Sequence, residues 1–186
     1  MHSEFIGFAY RKMSEPMRMS NENFRALILE HQRMVFGIAV RLLGDRGEAE
    51  EVAQDVFLEL YDSVGRLENE EHVKFWLRRV SVHRATDALR RRAHRPEVLA
   101  DSWDDERHDR SDALDESQVA GRLEELVRTL PEPYRTAVVL RYAEEATPDE
   151  IAAILGRPVA TVKSHLQRGL ILLRQKADVM MKEWTR

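Results

Sequence analysis

The chain contains no cysteine. That excludes disulfides and thiolate metal sites and fits a reducing compartment. No apolar run approaches the roughly 20 residues that cross a bilayer, so no membrane insertion is expected. Met1 to Ser20 lacks the apolar stretch of a secretory signal and offers Met13, Met17 and Met19 as later starts. No fold is assigned there, and residues 1–21 are expected to be a disordered N-terminal extension. No segment sustains the apolar–polar alternation of a strand. The seven histidines show no metal-ligand spacing, and no glycine-rich phosphate loop is present. No metal, cofactor or catalytic residue is therefore expected, and an enzyme is the least supported class.

What is present is charge, and its distribution is uneven. Charged residues make up 33% of the 186 positions, against 43% apolar ones. That balance describes a soluble globular protein, expected in the cytoplasm. The formal net charge of −4 conceals strong sorting along the chain. Residues 22–71 hold five basic and twelve acidic groups, whereas residues 72–95 hold eight basic and one acidic. Residues 96–121 return to two basic and nine acidic groups, and residues 122–186 hold eleven basic and nine acidic. Separate blocks point to separate partners.

The acidic stretch from Glu97 to Gln118 has little helical periodicity, and Pro96 and Gly121 flank it. It reads as a flexible, self-repelling tether, with an irregular solvated helix as the competing reading. Trp103 is the one residue a pure tether does not explain, and it is placed to dock on a domain or a partner. The expected organisation is all-α: two small helical domains, 22–95 and 122–186, joined by an acidic flexible linker at 96–121. In the first, Asn23 to Leu43 has apolar positions at helical spacing, and Gly44 and Gly47 bracket a turn with Asp45 as cap. Glu48 to Tyr61 follows, burying Ala49, Val52, Ala53, Val56 and Leu60. Then comes a long helix from about Glu70 to Arg92, with Val73, Trp76, Leu77, Val80 and Leu89 inward. In the second, Leu123 to Thr129 and Tyr134 to Tyr142 are helical, with Pro131 and Pro133 between them.

The sharpest local signal runs from Thr147 to about Lys176. Thr147 caps and Pro148 suits the first helical position, while Asp149 and Glu150 place negative charge at the positive helix end. Ile151, Ala152, Ile154 and Leu155 supply a buried face. Gly156 suits the left-handed turn, and Pro158 opens the next helix. Along that helix Val162, Leu166, Leu170 and Leu173 form an apolar stripe, and Lys163, Ser164, Gln167 and Arg168 fall opposite it. Arg157 to Lys176 contains five basic residues and no acid. This predicts a helix-turn-helix whose second helix enters the DNA major groove, because cations meet phosphates and guanine while glutamine pairs with adenine. A helical hairpin with a solvated basic face is the alternative.

Two earlier helices carry different chemistry. Phe75, Trp76, Arg78 and Arg79 mix aromatics with cations, and Lys74, Arg84, Arg90, Arg91, Arg92 and Arg95 extend the charge. Aromatics beside cations are what an unstacked single strand needs. Trp76 shares a stripe with Val80 and reads more as core than as stacking platform, and His83 is placed either to hydrogen-bond a base or to be half-buried. Glu48, Glu51, Asp55, Glu59 and Asp62 recur at three- and four-residue spacing beside Gln54, Phe57 and Tyr61. That face suits docking to a basic protein helix; a merely solvated helix face competes with it.

The segment from Glu48 to Tyr61 resembles region 2.2 of bacterial sigma factors. Phe75 to Val80 with Asp87, Leu89 and Arg90 resembles regions 2.3 and 2.4. Leu130 to Arg135 with Leu140 to Tyr142 resembles region 4.1. Glu150 to Gly156 followed by Thr161 to Leu166 and Arg168 is similar to region 4.2. Order and spacing resemble the small extracytoplasmic-function (ECF) subgroup of the sigma-70 family, which keeps domains 2 and 4 alone. Three positions depart from its usual pattern. His83 replaces the usual Asn, which bears on −10 base preference. Gly169 replaces Ala and is expected to soften the recognition helix by up to about 1 kcal/mol. Thr147-Pro148 replaces a Ser-aromatic pair and alters only the cap.

The resemblance implies roles. Glu48, Glu51, Gln54, Asp55, Phe57, Glu59 and Tyr61 would dock on the clamp of the largest subunit of core RNA polymerase. Lys74, Phe75, Trp76, Arg78, Arg79, His83, Arg84, Arg90 and Arg91, with the loop from Asp62 to Glu71, would capture the unpaired −10 strand. Arg157, Thr161, Lys163, Ser164, His165, Gln167 and Arg168 would read the −35 duplex. The polymerase flap and an anti-sigma factor are further expected partners. Free, the two domains are expected to be tethered and to bind DNA poorly, the acidic linker competing for basic surfaces. Two alternatives stay open: a dimeric helix-turn-helix regulator, which a palindromic site would reveal, and a sigma-mimicking adaptor that binds an anti-sigma protein and no DNA.

Overall fold

A computed structural model describes residues 20–93 and 116–184. Residues 1–19, the stretch 94–115 with Trp103, and the last two positions lie outside them, and with them most of the expected extension and tether. The described residues form seven α-helices and a short 3-10 turn, with no strand among them.

The first group is a three-helix unit. Helix α1 (Asn21–Leu43) starts where the Ser20 side chain accepts from the Asn23 amide at 3.2 Å, and ends at Gly44, whose φ of 75° no β-carbon would favour. Helix α2 (Arg46–Ser63) starts at Asp45, which accepts from the Glu48 amide at 2.8 Å, as its sequence position suggests. Gly47 lies inside the first turn of α2, so Gly44 alone makes the bend. Helix α3 (Glu70–Ala93) follows a 3-10 turn at Val64–Arg66 and opens with the Asn69 side chain accepting from the His72 amide at 2.8 Å. Val35, Ile38 and Leu42 of α1 are buried, as are Val52, Val56 and Leu60 of α2 and Leu77 and Val82 of α3. Each fully buried aliphatic side chain contributes about 1.5–3 kcal/mol. The connection between α2 and α3, within the expected loop from Asp62 to Glu71, is anchored by buried Val64 and Leu67.

The second group comprises α4 (Glu116–Arg128), α5 (Glu132–Tyr142), α6 (Pro148–Leu155) and α7 (Val159–Trp184). Helix α4 begins at Glu116 rather than at Leu123, so the last residues assigned to the acidic tether are helical. Helix α5 buries five consecutive residues, Thr136 to Leu140, and packs against α1, α4, α6 and α7. A helix covered on every side belongs to the interior. Thr147 and Glu150 form a reciprocal capping box at the start of α6, and Gly156 ends it at φ 60°. Its buried residues Ile151, Ala152 and Ile154 are among those the sequence pattern marks, whereas Leu155, also marked, is half-buried.

Helix α7 runs unbroken through Gly169, which is buried. A β-carbon there would meet Val138 Cγ2 at 2.9 Å and Tyr134 Cβ at 3.5 Å, so glycine is what lets α7 lie close on α5. Leu170, placed in the apolar stripe from sequence, is 43% exposed, because the contact line passes one residue earlier. The two groups also pack together: α1 touches α4 and α5, α3 touches α6, and one continuous core runs from Val35 to Val162.

Candidate nucleic-acid and polymerase interfaces

Helix α2 presents its acids outward. Glu51, Gln54 and Asp55 are exposed, Tyr61 is exposed, and Phe57 is partly buried against the core. Tyr61 packs edge-on against Phe24 of α1 with ring centroids 5.1 Å apart. Two of the expected docking acids are already engaged: Glu59 accepts from Arg84 at 2.7 and 3.1 Å, and Glu48 lies 3.8 Å from Arg92. The Glu59 carboxylate raises the pKa of the Arg84 guanidinium, chiefly through that hydrogen bond, so Arg84 stays charged. Leu58, at 68% exposure, is the most exposed large apolar side chain of α2 and was missed from sequence. A leucine between Phe57 and Glu59 carries no local signal that it points outward; only the register of the buried Val56 and Leu60 reveals it.

Helix α3 carries the aromatic–basic set, but its cations are not equally available. Lys74, Arg79, His83, Arg84, Arg90 and Arg91 are exposed, whereas Phe75 and Trp76 are partly buried against the core. Trp76 thus packs on the core while leaving part of its surface exposed. Arg90 pairs with Asp87 one turn earlier at 3.2 Å. Arg78 is the clear exception to an outward-facing strand surface. Its Nη2 donates to the Glu144 carbonyl at 2.6 Å, and its Nε lies 3.4 Å from the Glu144 carboxylate. Both side chains are mostly buried, at 15% and 9% exposure. Burial raises the pKa of Glu144, and the nearby cations Arg78, Arg41 and Lys74 only partly oppose it. Arg78 is thus held by a residue 66 positions away instead of facing solvent.

In the helix-turn-helix, the capping box holds the Glu150 pKa down through the Thr147 amide and hydroxyl, at 2.7 and 2.8 Å. Arg157, Lys163, Gln167 and Arg168 are exposed, and Thr161 and Ser164 are half-buried. His165 differs from the other expected readers. Its ring lies edge-on to Tyr134 of α5 with centroids 5.5 Å apart, so it braces the recognition helix. His165 and Arg157 also share a cleft of about 240 Å³ with His83 and Arg90 of α3. Residues expected to touch opposite ends of a promoter thus line one gap between the two groups.

These features define a class: an all-helical, two-part protein with an acidic outward helix, a cation-rich aromatic helix and a C-terminal helix-turn-helix. The family models agree in the same order. Sigma-70 region 2 matches residues 27–95, and Sigma-70 region 4 matches residues 120–173. The chain is similar to the RNA polymerase sigma-H factor of Pseudomonas aeruginosa, 28% identical over 173 residues, covering 86% of this chain and 89% of the relative. It is also similar to the ECF RNA polymerase sigma factor SigW of Bacillus subtilis, 24% identical over 182 residues, covering 89% of this chain and 95% of the relative. Among solved structures, the fold resembles sigma factor RpoE in its co-crystal structure with the anti-sigma factor NepR from Bartonella quintana. The TM-score is 0.66 at 20% identity, covering 85% of this chain and 98% of that one. The chain belongs to the sigma-70 family, in its ECF subgroup. The described residues include no helix long and apolar enough to cross a membrane.

Proposed function

We propose that this sigma factor divides promoter recognition between its two helical groups while its acidic helix holds core RNA polymerase in the cytoplasm. Glu51, Gln54, Asp55 and Phe57, with the exposed Leu58 and Tyr61, dock on the clamp of the largest subunit, and the second group engages the flap. Lys74, Arg79, His83 and Arg91 of α3 contact the unpaired −10 strand. Lys163, Gln167 and Arg168, with Thr161, Ser164 and Arg157, read the −35 duplex. His165 acts through Tyr134 as a positioning residue. Core polymerase fixes the separation of the two halves, so that duplex contact raises the effective concentration of α3 at the strand. Trapping unpaired bases then offsets the few kcal/mol of unstacking. An anti-sigma factor is the expected antagonist, as the fold neighbour has one.

The observation that carries this reading is the order, in one chain, of an acidic outward helix, a cation–aromatic helix and a capped helix-turn-helix. A lone operator-binding module has no use for the first two. Run-off transcription with purified core polymerase and a genomic promoter pool tests it. Promoter-specific transcripts that require the chain are expected; no core binding and no initiation at any promoter would reject it.

A further inference from the structure

We propose that Arg84 is a base reader and not a phosphate contact: held side-on by Glu59, it selects a guanine in the unpaired strand that α3 captures. This rests on the strand-capture reading of α3, and it moves Glu59 from the polymerase-docking set to a positioning role. The geometry sets this arginine apart from the other cations of its helix. Its Nε and Nη2 donate to the same Glu59 oxygen at 3.1 and 2.7 Å, reaching from α3 across to α2. Arg90 donates through Nη1 to Asp87 of its own helix at 3.2 Å, and Arg92 stops 3.8 Å from Glu48. Arg79 and Arg91 enter none of the ion pairs among the described residues.

A guanidinium carries five N–H donors in one fixed plane. The side-on contact uses the Nε donor and one Nη2 donor, and leaves the Nη1–Nη2 edge with its two parallel N–H groups. That fork matches O6 and N7 of guanine, and the match is lost when the plane turns. The edge is reachable, because the Arg84 side chain is 44% exposed and that of Glu59 38%. Charge argues against a phosphate at this point. The hydrogen bond to Glu59 and the charge of Glu59, then the charges of Asp55 and Asp87, raise the pKa of Arg84. Three carboxylates around one guanidinium repel a phosphate but not the neutral edge of a base. Arg91 lies two helical turns further along the same face, about 10 Å away. A backbone held there carries its bases past Arg84, so one cation of the block supplies sequence while its neighbours supply affinity.

The full chain, assembled on core polymerase, is titrated with labelled oligothymidine strands that carry one guanine moved position by position. One position is expected to bind about five- to a hundredfold tighter than its thymine counterpart. Inosine there should match guanine, because it keeps O6 and N7, whereas 7-deazaguanine should lose most of the gain. Arg84→Lys keeps the charge but not the fork, and should abolish the preference without changing the salt dependence. Glu59→Ala should weaken the preference while leaving guanine-free strands bound at least as tightly. Glu59→Gln, whose amide oxygen accepts the same bonds, should restore it. Neither side chain is buried, so these variants are expected to keep the wild-type melting temperature. A guanine preference that survives Arg84→Lys, ignores the loss of N7 or is absent at every position overturns the assignment. Weaker core binding by Glu59→Ala returns Glu59 to the docking face and overturns its positioning role. Failure of the strand-capture reading shows separately: Arg79→Ala with Arg91→Ala would then leave every strand bound as before.

Discussion

Helices α3 and α7 are both long, both cationic and both assigned to DNA, yet their charges are in different states. On α3, Arg78 is held by Glu144, Arg84 by Glu59 and Arg90 by Asp87, and Arg92 lies near Glu48. On α7, none of the ion pairs among the described residues involves Lys163 or Arg168. Four cations of α3 thus already have a carboxylate partner or neighbour within the chain itself. Under the proposed assignment, α7 meets a duplex with Lys163 and Arg168 unengaged, whereas α3 has its charge partly neutralised by its own protein.

The comparison breaks most visibly where α7 is held in place. Ile151→Ala removes a fully buried side chain beneath α7 and is expected to cost about 2–5 kcal/mol of stability. Thermal unfolding should show it, with duplex binding lost in step; an unchanged melting temperature would mean that α6 does not hold α7. Next, Arg168→Ala should weaken −35 binding by about 1–3 kcal/mol against matched promoters only, if it contacts a base. An equal loss on every sequence would demote it to a phosphate contact and make α7 more like α3. Gly169→Ala sets a gain of about 1 kcal/mol in helix propensity against about 1–3 kcal/mol of overpacking on Val138. A net loss of about 1 kcal/mol is expected, recovered when Val138→Ala is added; a rise in melting temperature would place the α5–α7 contact elsewhere. Smallest is the exposed Arg84–Glu59 pair, whose coupling in a double-mutant cycle should fall between about 0.2 and 1 kcal/mol. A larger value would mean that α3 is neutralised more firmly than its exposure implies.

Much of this fold is legible locally because caps and turns are short-range devices. Ser20 was not foreseen, but Asp45, Thr147, Pro148 and Gly156 announce helix ends from their own positions. The acidic, aromatic–basic and helix-turn-helix faces are equally readable, since each lies within one helix. What escaped are relations between helices. Glu144 looks like any loop acid until Arg78, 66 residues away, is set beside it. Gly169 reads as a weak point by propensity and proves to be a clearance, which depends on how near α5 runs. Helix α4 hides its first turns among acids that resemble a tether.

Helix α5 has one consequence beyond its place in the core. It packs on α1 of the first half and on α4, α6 and α7 of the second, so its burial is shared between both. Cooperativity then follows partnership. With α5 packed on both, the chain should melt as a single calorimetric unit, and a substitution that breaks the α1–α5 contact should expose that flank of α5 to water and split the endotherm in two. The number of melting transitions would count how many bodies the protein has become.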